Sequence, residues 1–503
     1  MNKKNGVAVS LFVLLILLIG GGLYYVSTKN TTVGLSDTSH ISHKQKDNIR
    51  ILLPFAIDAF PLFTLNDQAL IILKNVYEPL VDFDNNLSPQ PVLATSWGML
   101  TPNIWEFTLR QDVVFHNGKP FRADDVLFSW EKVKTLAPLE TKEQFSNIQE
   151  IKQTAPYKLQ IILSSPDPLL LSKLRYLSII PANLTDEQLR HFSSNMVGTG
   201  AYTWTSNSNG VVTLTRFDRY YKRDEVPFQT MTFIIVPQKF ARLELIQNKS
   251  VDLVVAVPGD FVSTVTSMGY RTEMMPTLES VFLLYNLNTS FASEAERKIF
   301  ANRIDFTELQ KLVGSFGIRA SQFIPSGVFG FHPDITIPSP QTSVPKDTKE
   351  FLTIRLSKNN QSLAEVIAGQ LEKQNIKLNI AVEDDPVLLS DLKNGNGDLF
   401  LLGWKFSDGD ALDFLSSFFH TNKAGKGIYN GLGYDFPNVD TLIDQAAEEL
   451  DPSTRLKFLQ EVIRAINDET VGIPLFESRM MYAYVPDLSF TPSMDGMITY
   501  RNF

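Results

Sequence analysis

The run from Leu352 to Leu402 constrains the fold more tightly than any other part of the chain. Leu352, Ile354 and Leu356 alternate with other residues at the period of a strand, and Leu363, Val366, Ile367, Gln370 and Leu371 recur at the spacing of one helix face. Ile376, Leu378, Ile380 and Val382 alternate again, residues 387–393 read as a short helix, Asn394-Gly-Asn-Gly397 as a turn, and Leu399-Phe-Leu-Leu402 as a buried strand. Strand, helix, strand, helix, strand implies a largely parallel sheet. Its crossovers are right-handed, because a twisted strand feeding a right-handed helix packs back onto its sheet only that way. Two helices close this region. One carries Val439, Leu442, Ile443 and Ala446; the other opens at Asp451-Pro452, a capping side chain followed by the residue suited to the first helical position.

At 503 residues the chain is too long for one core, and two to three domains are expected. A net charge of −9 argues against nucleic acid as a partner, since binding a phosphate backbone needs a basic footprint. The absence of cysteine excludes disulfides, thiolate metal sites and cysteine nucleophiles. At the N-terminus, Lys3 and Lys4 precede an apolar run from Val7 to Ile19 that extends to Val26. A basic segment followed by an apolar one reads as an export signal, and the extended run approaches the length that spans a bilayer. Residues 1–28 are therefore expected to be a signal or an N-terminal membrane anchor, with the two lysines on the cytoplasmic side. Residues 29–47, rich in Ser, Thr, Asn, Lys and Asp, read as a flexible tether.

Ligands of open α/β sheets bind beyond the carboxyl ends of the strands. The strand ending at Leu402 runs into Gly403-Trp404-Lys405-Phe406-Ser407-Asp408-Gly409-Asp410, which offers a flexible backbone, a large aromatic ring and two carboxylates. That mixture suits an amphiphilic ligand bearing a cationic amine. The competing reading makes Asp410 the cap of the helix that follows and Trp404 part of the core. His116, at an Asn117-Gly118 turn, has no acid or second histidine at ligand spacing and reads as structural. Ser129-Trp-Glu-Lys132 matches the string of serine acyltransferases without their partner motifs, and Gly198-Thr-Gly200 does not lead from a strand into a helix. The Asp124-Asp125 pair opens a helix, where negative charge is favoured by the dipole. No residue pattern announces an enzyme, a cofactor or a metal.

The segment Trp105-Glu-Phe-Thr-Leu-Arg110, Val114-Phe-His-Asn-Gly-Lys-Pro-Phe121 and Asp124-Asp-Val-Leu-Phe-Ser-Trp130 resembles a signature of the family 5 extracellular solute-binding proteins, the oligopeptide- and dipeptide-binding subunits of ABC importers. Tyr77-Glu-Pro-Leu80, Pro91-Val-Leu-Ala-Thr-Ser-Trp97, Val197-Gly-Thr-Gly-Ala-Tyr202, Arg216-Phe-Asp-Arg-Tyr-Tyr221, Leu245-Ile-Gln-Asn-Lys-Ser-Val-Asp252, Phe282-Leu-Leu-Tyr-Asn-Leu-Asn288 and Val471-Gly-Ile-Pro-Leu475 resemble further elements of that family, in family order.

The resemblance implies a two-lobed, periplasmic-binding-protein-like α/β fold (type II) with an extra domain and the ligand enclosed at the hinge. Lobe I is expected from residues 48–81, 191–277 and 478–503, the extra domain from 82–190, and lobe II from 278–477. It further implies a non-catalytic, monomeric substrate-binding protein. Such a protein is exported to the periplasm or the outer face of the cytoplasmic membrane, captures peptides, and hands them to ABC permease subunits driven by cytoplasmic ATPases. Gly403, Trp404, Lys405, Phe406, Ser407, Asp408, Asp410, Tyr285 and Asn286 are the ligand-binding candidates. In peptide binders an aspartate a few residues after the loop tryptophan pairs with the α-ammonium of the peptide, whose backbone bonds to the protein main chain. Here Ser407 stands where the W-x-x-D pattern has its acid, leaving Asp408 or Asp410 to serve. Lys405 adds a cation suited to an acidic ligand such as a cell-wall peptide. The chain also lacks the acylated cysteine of lipoprotein members. Other ligands on the same fold are a nickel chelate, haem or a sugar; a different class is a surface-tethered hydrolase using Asp408 and Asp410. The strand–turn–helix at 105–130 is expected to be scaffold.

Overall fold

The computed structural model describes residues 47–503 except 58, 193–195, 338–349 and 424. The expected signal or anchor (1–28), and the tether but for Asp47, lie outside the described residues. Among those described, no helix is long and apolar enough to cross a membrane.

An eleven-stranded mixed sheet runs through the molecule. Its path begins with Ile376–Glu383, Glu350–Ser357 and Leu399–Lys405, continues through the long strands Arg271–Tyr285 and Gly472–Tyr484, and ends with Leu253–Val254, Asn48–Leu53, Thr230–Ile235, Val211–Arg216 and Tyr202–Ser208. The short strand Gly317–Arg319 pairs off this path onto Gly472–Tyr484. The three strands expected to be parallel are parallel, with Gln361–Glu372 and Asp385–Asn394 as the crossover helices. They are joined to the rest by antiparallel pairing, because Arg271–Tyr285 runs against both Leu399–Lys405 and Gly472–Tyr484. The sheet is thus mixed rather than largely parallel.

The Arg271–Tyr285 strand is much longer than its sequence suggests. Pro276 lacks an amide hydrogen and sits beside a register shift between Pro276 and Ser280, where an interruption of the ladder accommodates it. From Thr277 to Tyr285 every residue is buried, so no alternation marks the strand. Asp451 accepts from the Thr454 amide at 2.8 Å and caps the Pro452–Asp468 helix as expected. Helices cover both faces of the C-terminal part of the sheet, giving one core around Phe282, Phe400 and Phe414 and another around Leu283, Ile354 and Ile367.

A separate four-stranded antiparallel sheet, ordered Ala94–Thr101, Ile104–Leu109, Lys158–Leu163, Ile148–Ala155, packs with the Ala123–Leu136 helix. It shares a core with the N-terminal strands. Here the recognisable sequence motifs bond to one another. His116 accepts from the Gly198 amide at 3.3 Å and donates from Nε2 to the Gly200 carbonyl at 3.0 Å. Burial pushes this ring down to about 4, so it stays neutral and structural. Glu78 accepts from the hydroxyls of Tyr220 at 2.7 Å and Tyr221 at 3.0 Å. Asp125, fully buried, accepts from the amides of Arg122 and Ala182 and from Lys119. The 105–130 segment is scaffold, as its sequence implied.

Gly198 shows how tightly these motifs meet, since a Cβ there would lie 2.0 Å from the Val76 carbonyl oxygen. Gly198→Ala is expected to lower unfolding stability by at least about 2 kcal/mol, as overpacking against rigid backbone does. Urea denaturation followed by circular dichroism measures this.

Candidate ligand-binding site

At the end of the Leu399–Lys405 strand the chain keeps its ladder through Lys405, which pairs with Glu279, and then turns away. The Phe406 amide donates to the Leu278 carbonyl at 2.6 Å and the Gly409 amide to the Phe406 carbonyl at 2.9 Å. Gly409, at φ +70°, takes the left-handed conformation this tight turn requires. The Phe329 amide then donates to Gly409 and the Ala411 amide to Phe329, fastening the far end before the Leu412–Phe419 helix begins.

This loop forms one wall of a cavity of about 430 Å³, within the range of small-ligand sites. Trp404, Lys405, Phe406, Ser407, Asp408 and Asp410 contribute to its lining, together with Leu412, Asp413, Ser416, Ser417 and Ile428. The opposite wall comes from the segment expected to be the extra domain: Glu140, Glu143, Asn147, Leu169, Lys173 and Tyr176 among others. Leu65 closes the N-terminal side. The sequence had offered no ligand role in 82–190. The Leu139–Gln144 and Leu170–Leu174 helices are five or six residues long, too short for periodicity to show which face they present.

Each candidate residue takes a distinct place. Trp404 is 5% exposed and packs in an aromatic cluster, edge-on to Phe418 at 5.1 Å and tilted against Phe414 at 5.9 Å between ring centroids. It is core and cavity wall together. Phe406 packs on Phe414 at 5.3 Å. Gly403 does not reach the cavity lining; a Cβ there would meet the Glu279 carboxylate at 2.9 Å. The Ser407 carbonyl accepts from the Tyr176 hydroxyl at 3.1 Å and from Arg175 at 3.5 Å, binding the loop to the opposite wall.

Tyr285 and Asn286 do not join the site. Trp404 pairs with Ser280 whereas Leu399 pairs with Tyr285, so five strand residues, about 17 Å, separate the two ends. Tyr285 donates to the Arg297 carbonyl at 3.2 Å, and Asn286 pins the Gly395–Gly397 turn by donating to both glycine carbonyls. Both are structural.

The charged candidates separate as clearly. Lys405 does not offer its charge to an acidic ligand, because its ammonium is bonded to Asp67 at the start of the Asp67–Leu73 helix, with both side chains 8% exposed. Asp410 accepts two bonds from Arg455, at 2.6 and 2.9 Å, and a third from the Leu412 amide at 2.9 Å. This carboxylate is thus already engaged by a bidentate guanidinium and a helix-start amide. Asp408 differs. Its Oδ1 is buried and makes no hydrogen bond among the described residues. Burial, then the neighbouring Asp413 and Asp410, raise its carboxyl to about 7 against the opposing pull of Lys173 and Arg175. Asp413, exposed on the cavity, is also raised, by desolvation and then by Asp410, against the opposing pull of Lys173. Lys173 is engaged by Asp167 at 2.6 Å. No histidine lines the cavity, and among the described residues no group of three or more His, Asp or Glu side chains is placed to hold a metal.

A sheet shared by two halves, a third domain against one of them, and a cavity where they meet define a two-lobed solute-binding protein of type II. Residues 88–426 match the bacterial extracellular solute-binding proteins, family 5 (middle region), and the chain belongs to that family. The nickel-binding periplasmic protein of Escherichia coli (strain K12) is 24% identical over 458 residues, covering 83% of this chain and 86% of that protein. The structure of HbpA2 from Haemophilus parasuis superposes with a TM-score of 0.79 at 18% identity, covering 90% of this chain and 98% of the other. The ABC transporter-associated periplasmic binding protein DppA from Helicobacter pylori, solved with the peptide STSA, superposes with a TM-score of 0.73 at 18% identity, covering 92% and 99%.

The raised carboxyl of Asp408 makes stability depend on pH. With a folded value of about 7 against 3.8, the folded chain binds the extra proton between those values. Stability from this group therefore falls as pH rises from 3.8 to about 7 and levels off above. Asp408→Asn is expected to match the parent at pH 4 and to exceed it by about 0.5–2 kcal/mol at pH 8, as removal of a strained site residue does. Urea titrations at the two pH values provide the comparison.

Proposed function

We propose that this protein captures peptides from outside the cell for an ABC importer, with the cavity between the loop 403–410 and the opposite wall enclosing the amino-terminal end of the ligand. The observation that carries this reading is Asp408: an acid lining a ligand-sized cavity, with one buried oxygen that has no donor among the described residues. A peptide α-ammonium supplies both the charge and the donor, and on binding it returns the carboxyl to its ionised form. The DppA structure, which holds a peptide on the same fold, supports the ligand class. The cavity walls are mixed, with Trp404, Phe406 and Leu169 beside Asn147, Ser416 and Ser417, which suits side chains of varied kind.

In this reading residues 48–81, 191–277 and 478–503 form one lobe, 278–477 the other, and 82–190 the extra domain. The strands Arg271–Tyr285 and Gly472–Tyr484 are the connection about which the lobes close. The protein acts without catalysis, as a monomer that delivers its ligand to permease subunits. The basic and apolar N-terminal residues, 1–28, direct export and either leave or remain as an anchor.

Two measurements test this. Native mass spectrometry of the protein purified without refolding is expected to show a series of co-purified peptides; a single metal, or no bound small molecule, counts against the reading. In calorimetry, Asp408→Asn is expected to weaken peptide binding at least about tenfold, since an enclosed ammonium loses its counter-charge. N-acetylation of the peptide should produce a comparable loss on the unmodified protein. Unchanged affinity in both would remove Asp408 from the role.

A further inference from the structure

Beside the cavity, polar contacts run from one hydrophobic core of the molecule to another. The Asp67–Leu73 helix packs Ala69, Leu70 and Ile72 into the core built on the N-terminal strands. The Leu399–Lys405 strand and the loop after it pack Leu402, Trp404 and Phe406 into the core around Phe282. Lys405, at the end of that strand, bonds Asp67 at the start of that helix and donates to the Asp495 carbonyl at 3.3 Å. Lys405 and Leu65, which lies just before Asp67, both line the cavity, so the pair stands where the two cores face each other. Further along the loop, the Ser407 carbonyl accepts from Tyr176 at 3.1 Å and from Arg175 at 3.5 Å, and Tyr176 belongs to the N-terminal core. Two long strands connect the cores: Arg271–Tyr285 gives Leu278 and Phe282 to one, and Gly472–Tyr484 gives Met480 and Tyr482 to the other.

Swinging the cores apart about these strands hands both charges of the pair to water. Bringing them together takes both out, since each side chain is 8% exposed here. A buried ion pair is tolerated when both partners are present, whereas one partner left alone is strongly destabilising. We infer that Lys405 and Asp67 form the latch of the cleft, an ion pair that is made when the lobes close and broken when they open. Lys405 is then a positioning residue. It acts through the loop, setting the Ser407 carbonyl on Tyr176 and holding Asp408, next along, at the cavity. This rests on the hinge proposed above and not on the identity of the ligand. The lysine that in the sequence suggested an acidic ligand is a contact between lobes instead.

The test is a distance measurement by pulsed electron paramagnetic resonance on the full chain, freed of co-purified ligand. The sequence contains no cysteine, so Gln149→Cys on the four-stranded sheet and Asn438→Cys on the Pro437–Glu448 helix, both at exposed positions, carry the only spin labels. Lys405→Met is expected to raise the ratio of the longer to the shorter label distance at least about tenfold, because opening rescues the stranded Asp67 carboxylate. Asp67→Asn acts in the same direction and serves should the first variant fail to fold. Lys405→Met combined with Asp67→Leu is expected to return the ratio to within about threefold of the parent, since a closed cleft accepts both charges or neither. A loop that was merely damaged would not be rescued in this way. Two distances with the same ratio in parent and single variants overturn the latch and leave the hinge intact. One unchanged distance in every protein overturns both.

Discussion

Six charges meet in the interior where the segments of this protein come together, and the site depends on their balance. Lys74 bonds Asp82 at 2.6 Å; Arg175 bonds Asp495 and lies 3.6 Å from Asp82; Lys405 bonds Asp67 and reaches the Asp495 carbonyl at 3.3 Å. Three cations face three carboxylates. Burying any of them alone would cost several kcal/mol, roughly, which is why removing one partner of such a set is more harmful than never having had it. Burial alone would raise Asp495, but Arg175 and Lys74 outweigh it and hold this carboxyl near about 2. Lys74 moves the other way: burial lowers it more than Asp82 restores it. The set links the first helix, the extra segment around Arg175, the strand carrying Lys405 and the C-terminal loop around Asp495. It thereby fixes how the loop 403–410 faces the wall carrying Tyr176.

The same balance explains the character of the cavity. Three cations near the loop each have a carboxylate partner: Lys405 has Asp67, Arg455 has Asp410, and Lys173 has Asp167. Asp408 and Asp413 have no direct ion-pair partner among the described residues, and Lys173 and Arg175 act on Asp408 only at longer range. Asp408 has its carboxyl raised to about 7 and one buried oxygen with no donor among the described residues. In the proposed function a ligand ammonium satisfies this group on binding and so gives the site differential affinity, since only an interaction stronger in one state shifts the equilibrium toward it. The two long strands that carry the sheet from one half to the other supply the continuous framework across which that shift acts.

Much of this was legible in the sequence. The parallel strands and crossover helices between Glu350 and Lys405, the Asp451 cap and the structural part played by His116 follow from period, cap chemistry and the lack of a partner at ligand spacing. The order of the motifs announced the family. The loop 403–410 singled out in the sequence lines the cavity, except for Gly403 and Gly409, but the partners of its side chains were not readable. Lys405 and Asp410 look alike in sequence to a free cation and a free acid, and what decides them is Asp67, 338 positions away, and Arg455, 45 positions away. Tyr285 and Asn286 lie on a neighbouring strand yet at its other end, because the strands run antiparallel. The wall around Glu143, Lys173 and Tyr176 was missed for another reason. Glu143 and Lys173 lie in helices too short to carry a period and Tyr176 lies just past the second, so only long-range packing turns them toward the loop.

The central claim is that Asp408, and not Asp410, Lys405 or a metal, holds the charged end of a ligand in this cavity. A crystal structure of the protein isolated without added ligand tests it most directly. The account predicts extended peptide density in the cavity, with the terminal amine at about 3 Å from the Asp408 carboxylate and the Asp410–Arg455 and Lys405–Asp67 pairs intact. Ligand density elsewhere would contradict it, as would an amine bonded to Asp410 with Arg455 displaced.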